Sequence, residues 1–181
     1  MKVILFGQPG VGKGTTAKLL AEKYKLPHIS TGEVLRAEIS HSTELGKKAK
    51  EFVEMGKLVP DELVTEMVKA KLSSPEAKKG YFLDGYPRTV AQANALKGFA
   101  EIDRVLNLSA PKKVVIERIK KRGEGRRDDS PEIIMQRIAE YEEKTKPLID
   151  FYRNEGVLTD IDSTMDVDGV VAQCVEALTE D

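Results

Sequence analysis

The segment GQPGVGKG, residues 7–14, constrains this chain more than any other feature. It follows an apolar run at residues 2–6. It precedes residues 15–25, where Ala17, Leu19, Leu20 and Tyr24 suit a helix packed on one side. A strand entering a G-x-x-x-x-G-K turn that opens a helix is the setting in which successive backbone N–H groups point inward and form an anion nest. The helix N-terminus adds partial positive charge, and Lys13 extends it toward the outer phosphates of a nucleotide. The residue after the lysine, usually Ser or Thr, is Gly14, with Thr15 next. A glycine-rich turn that binds nothing is the alternative, and it leaves the coincidence of motif, strand and helix unexplained.

The rest of the chain repeats the alternation. Short apolar runs predict strands at 27–30, 81–84, 104–108 and 157–161. Helical spacing predicts helices at 32–39, 45–55, 61–72, 89–99, 111–121 and 167–178. A further helix starts at Pro131 behind the N-cap Ser130 and runs to about Arg153, kinked or interrupted at Pro147. Strands that lack strict polar alternation and alternate with helices predict an α/β fold. It is a three-layer P-loop architecture, a parallel sheet with helices on both faces. Its 181 residues suit a single domain. Ligands of such sheets gather beyond the carboxyl ends of the strands. The loops after Phe6, Ser30, Asp84 and Leu108 therefore share one rim.

Composition excludes several classes. Lys+Arg is 29 and Asp+Glu is 30, a net charge of −1, which argues against a nucleic-acid partner held by bulk electrostatics. One Cys permits neither an internal disulfide nor a multi-cysteine zinc site. No apolar run nears the roughly 18 residues of a membrane span. The opening MKVILFGQPG is too short in apolar residues for a secretory signal. A cytoplasmic protein without membrane or nucleic-acid partners is expected.

Arginines are placed where phosphates would meet. Arg36 and Arg88 stand on the ligand rim, Arg118 and Arg122 share a helix face, Arg126 and Arg127 follow in a short loop, and Arg137 lies on the next helix. Guanidinium forks match phosphate oxygens. Arg104 and Arg153 read instead as surface residues paired with acids. No general base stands out, since His28 and His41 have no evident partner. A phosphate acceptor needs none, because its second pKa is about 6 and its oxygens are already mostly ionised at pH 7. Asp84, ending an apolar strand beside the glycine-rich turn, can hold Mg²⁺ directly or through water; the alternative is a helix-capping Asp before Gly85.

ISTGEVLRAE (29–38), LDGYPRTVAQA (83–93) and ERIKKRGEGRRDDSPEIIMQR (117–137), together with GQPGVGKGT, resemble the nucleoside monophosphate kinases and most closely the adenylate kinases. The resemblance covers almost the whole chain in the family's order. It implies reversible transfer of the terminal phosphoryl group of ATP to AMP, with Mg²⁺, by a monomer that maintains adenine nucleotide balance. It implies that Gly10, Val11, Gly12, Lys13, Gly14 and Thr15 bind the ATP phosphates. Arg118 would stack on the ATP adenine. Arg122, Arg126 and Arg137 would surround the transferred group, with Lys13 on it. Thr31, Gly85 and Gln92 would face the AMP base, and Arg36 and Arg88 would clamp its phosphate. Lys57 and Val59 would line the same pocket. Asp128 and Asp129 match an acidic pair that holds lid arginines.

The helical stretch 32–72 is expected to form the AMP-binding flap, with the nucleoside monophosphate-binding subdomain at 30–59 and a short lid loop at 122–131. Longer relatives insert a lid after the position of Arg122, often with four zinc-binding cysteines; only GEGRR stands between Arg122 and Asp128. The chain thus resembles the short, lid-deficient type, without structural zinc. Thr31 and Gln92 favour AMP over pyrimidine acceptors, whose kinases typically carry Ala and Asn there. A UMP or CMP kinase, and a module that binds ATP without transferring phosphate, are the rival readings. Arg36 and Arg88 speak against the latter.

Overall fold

A computed structural model describes residues 1–122 and 130–179, with Arg122 described in its backbone only. Five parallel strands form one sheet in the order β2-β3-β1-β4-β5. They are β1 (Lys2–Gly7), β2 (His28–Ser30), β3 (Tyr81–Asp84), β4 (Arg104–Ser109) and β5 (Leu158–Asp162). The described helices are α1 (Lys13–Tyr24), α2 (Thr31–Ser40), α3 (Glu44–Glu54), α4 (Asp61–Leu72), α5 (Val90–Lys97), α6 (Lys112–Arg122), α7 (Pro131–Glu140), α8 (Leu148–Asn154) and α9 (Val167–Thr179). Among the described residues, no helix is long and apolar enough to cross a membrane.

Alternate residues of the central strand face two different cores, as the two-residue period of a strand requires. Ile4 and Phe6 join one cluster with Leu83, Val105, Leu96 and Leu148. Val3 and Leu5 join the other with Leu20, Phe82, Leu106, Ile119 and Cys174. Helices therefore cover both faces, as the apolar strand runs predict. Cys174 is fully buried in the second cluster, where burial pushes its thiol up to about 12. It serves there as a small apolar side chain.

Four helices start behind a Ser or Thr cap, the expected Ser130 among them. The Ser30 hydroxyl accepts from the Glu33 N–H, Thr43 from Gly46, Thr89 from Gln92, and Ser130 from Ile133 ahead of Pro131. Three boundaries differ from expectation. Helix α1 begins at Lys13, two residues early, because Gly12 adopts the left-handed conformation that turns the chain into the helix. A 3₁₀ turn at Pro75–Lys79 escapes the periodicity, being too short to show one. The long helix expected from Pro131 breaks into α7, a π-helical turn at Tyr141–Thr145, and α8 after Pro147. The break comes ahead of the proline: proline lacks the N–H needed to continue the ladder, and the preceding turn widens.

Candidate active site

Strand β1 delivers the chain to Gly7, where φ is 137° and a Cβ would collide with the Leu108 carbonyl oxygen of the neighbouring strand. Only glycine lets the loop leave the sheet at that point. Lys13, first residue of α1, folds its ammonium back over the loop and donates to the Gly7 and Gln8 carbonyls, both at 2.8 Å. The loop is also braced by α6, which packs on the same face of the sheet as α1. Arg118 of α6 donates to the Val11 carbonyl (3.2 Å), the Ser163 hydroxyl (3.3 Å) and the Met165 carbonyl (3.3 Å). Ser163 in turn donates to Val11 O at 2.7 Å.

Asp84 ends β3 opposite Leu5 of β1 and is 9% exposed. Burial opposes its ionisation. His28, Lys13 and Arg88 outweigh that cost and hold its carboxyl below the usual carboxylate value. The sequence offers no partner for His28, but the parallel pairing of β2 with β3 brings its Nε2 to 3.9 Å from Asp84 Oδ2. That distance is a charge contact when the imidazole is protonated, too long for a hydrogen bond. A Cβ at Gly14 would stand 3.5 Å from Asp84 Oδ2, so the carboxylate faces the start of α1.

On the other side of Asp84 lies the loop Gly85–Tyr86–Pro87–Arg88. Gly85 has φ 86°, and a Cβ there would come within 2.5 Å of the Thr31 hydroxyl. Arg88 is fixed at three points. Its Nε donates to Gly85 O (2.8 Å), its N–H to Gln92 Oε1 (2.7 Å), and its carbonyl accepts from Thr145 Oγ1 (2.8 Å). Burial, then the nearby Arg137 and Arg36, lower the Arg88 pKa, with Asp84 acting the other way. Those influences place three guanidinium groups and one carboxylate in a single electrostatic neighbourhood.

Two adjoining cavities result. The larger, about 690 Å³, is lined by Gly10, Val11, Gly12, Lys13, Gly14 and Thr15 together with Arg36, Asp84, Arg88, Arg118 and Arg137. The smaller, about 70 Å³, is lined by Thr31, Arg36, Lys57, Val59, Gly85, Arg88, Gln92 and Arg137. Arg36, Gly85, Arg88 and Arg137 border both. The residues expected around donor and acceptor therefore line two spaces, with Arg36, Arg88 and Arg137 bordering both. The Arg122 side chain, Arg126, Arg127, Asp128, Asp129 and most of the expected lid loop lie outside the described residues.

Sequence reasoning missed Ser163, Met165, Thr145 and Asp61. Ser163 and Met165 follow β5 on the ligand rim, so the rim rule reaches them. Thr145 sits in the π-helical turn, and no local pattern signals its bond to Arg88.

A family model described as adenylate kinase matches residues 5–157. An adenylate kinase of Mycobacteroides abscessus is 45% identical over 183 residues, covering 98% of this chain and 99% of the relative. One from Stenotrophomonas maltophilia is 43% identical over 185 residues, with 98% and 99% covered. One from Archaeoglobus fulgidus is 42% identical over a 214-residue alignment that covers 99% of this chain and 98% of the relative. That last alignment exceeds the chain's 181 residues, so the archaeal relative carries residues for which this chain has no counterpart.

Proposed function

We propose roles for individual residues from one premise: this chain belongs to the adenylate kinase family and transfers the terminal phosphoryl group of ATP reversibly to AMP, giving two ADP. The observation that carries the roles is the sharing of Arg36, Arg88 and Arg137 between the two cavities. Two nucleotides meeting phosphate to phosphate repel one another, and cations bordering both spaces offset that repulsion.

In this reading ATP lies over residues 10–15, its outer phosphates drawing Lys13 away from the Gly7 and Gln8 carbonyls. Arg118 supports the adenine side of the donor. AMP occupies the smaller space between Thr31, Gly85 and Gln92, with Lys57 and Val59 on its wall and Arg36 and Arg88 on its phosphate. Arg137, with Arg122 and Arg126, surrounds the moving group. The acceptor oxygen is ionised at neutral pH, so no side chain has to take a proton from it. Catalysis is then positioning and charge stabilisation.

The residues present suit Mg²⁺ carried mainly by the nucleotide. Among the described residues no cluster of three His, Cys, Asp or Glu could hold a metal. Gly14 offers no hydroxyl, and the ionised, inward-facing Asp84 is the side chain we assign to the ion, through water. Partial neutralisation of the phosphates is what Mg²⁺ supplies when it binds with ATP. One chain provides both nucleotide sites in this reading, which suits a monomer; the cytoplasm is the compartment we assign to it. The nucleoside monophosphate-binding subdomain spans 30–59 and the short lid 122–131.

Side-by-side turnover of AMP, dAMP, GMP, UMP and CMP with Mg·ATP tests the acceptor assignment. AMP is expected to lead GMP, UMP and CMP by at least about 100-fold in kcat/KM, since a site built to hydrogen-bond one base leaves buried groups unpaired with another. UMP or CMP turned over as fast as AMP would overturn it.

A further inference from the structure

Asp61 is the first residue of α4, outside the phosphate-binding cluster, and nothing in its local sequence marks it as more than a helix-starting acid. In the fold it meets the residue assigned to the AMP base. Its Oδ1 accepts from Gln92 Nε2 at 2.7 Å, and its Oδ2 accepts from the Thr89 hydroxyl at 3.0 Å. Thr89 Oγ1 accepts from the Gln92 backbone N–H at 3.1 Å, and Gln92 Oε1 accepts from the Arg88 N–H at 2.7 Å. Gln92 itself is 2% exposed and borders the smaller cavity.

The chemistry of these partners leaves one orientation for the Gln92 amide. A backbone N–H only donates, so it selects the amide oxygen. An ionised carboxylate only accepts, so it selects the amide nitrogen. Reversing the amide would set donor against donor at Arg88 and acceptor against acceptor at Asp61. Nε2 carries two N–H bonds, and Asp61 takes one. The other has no partner among the described residues, so the amide offers the cavity a donor of fixed sense. Such a donor fits a ring nitrogen with a free lone pair, as at N1 of adenine. It opposes a ring nitrogen that bears hydrogen, as at N1 of hypoxanthine or guanine.

We propose that Asp61 is a positioning residue for base selection: by fixing the sense of the Gln92 amide it makes the acceptor pocket discriminate against 6-oxopurines. This rests on the reading of the smaller cavity as the AMP site. Asp61 touches no substrate and acts through Gln92.

The test compares kcat/KM for AMP and for inosine monophosphate, with Mg·ATP saturating, in the wild type, Asp61→Ala and Asp61→Asn. In Asp61→Ala the amide keeps only the Arg88 bond. The AMP:IMP ratio is expected to fall about tenfold, through a higher KM for AMP more than a lower kcat, with KM for ATP moving less than about twofold. Asparagine still offers an oxygen to Nε2 but deprives the Thr89 hydroxyl of its acceptor, so Asp61→Asn should fall only about threefold. In a Gln92→Ala background, Asp61→Ala should leave the ratio unmoved. A wild-type ratio in Asp61→Ala, or AMP and IMP losing activity in equal proportion, overturns the proposal. If the alanine variant does not fold, the asparagine variant decides: a reduced ratio supports the proposal and an unchanged one overturns it. A wild type that uses IMP as well as AMP would defeat the parent reading of the pocket instead, so the two failures are distinguishable.

Discussion

Arg88→Ala is expected to lower kcat/KM for AMP by about 10³-fold, in the range seen when one preorganised charged donor is removed from a transferring phosphoryl group. Arg88 borders both cavities, and no other side chain in the loop 85–88 carries positive charge. The scaffold should survive the change. The Arg88 N–H and carbonyl stay tied to Gln92 and Thr145, and only the Nε bond to Gly85 is lost. Removing a cation beside Arg36 and Arg137 also relieves like-charge repulsion, so the melting temperature should stay the same or rise. Arg88→Lys should recover little, since an ammonium cannot replace a planar fork. Steady-state kinetics and a thermal melt on the same samples check both halves. Activity within tenfold of wild type would contradict the assignment.

Lys13→Met keeps the length of the side chain and removes its charge. A fall in kcat of about 10²- to 10³-fold is expected, because in the proposed reading the ammonium is the charge that the glycine-rich loop supplies to the outer phosphates. Lys13 donates to the Gly7 and Gln8 carbonyls, so the variant loses both of these bonds. The cost in stability is of order 1–3 kcal/mol, small enough to leave the fold intact. Circular dichroism and denaturant melts separate that modest loss from the kinetic one. A variant that still turns over at near the wild-type rate would remove Lys13 from the chemistry.

Much of this was legible in the chain itself, for identifiable reasons. The strands are short apolar runs, the starts of α2, α3, α5 and α7 carry Ser or Thr caps, and the glycine-rich turn can be built in few ways. Local chemistry decides each of these. Arg36, Arg88 and Arg137 were also legible, because they fall just beyond strand ends or on the helix facing them. What local chemistry does not encode is cross-chain pairing. His28 meets Asp84 only because β2 lies beside β3 in a particular register. Asp61 meets Gln92 across 31 residues of sequence, and Thr145 reaches Arg88 across 57. Each pair joins residues that look ordinary alone, and only the packing of α4 and the π-helical turn against the α5 region brings them together.

In the proposed mechanism two phosphate chains are held end to end by a shared set of fixed cations. A crystal structure with a bisubstrate mimic, two adenosines joined by an oligophosphate, tests this most directly. The bridge is predicted to run from the glycine-rich loop across Lys13 to Arg88, Arg36 and Arg137, with one adenosine in the smaller cavity beside Gln92. A bridge lying elsewhere on the surface, with those four side chains still engaged only with protein, would contradict it.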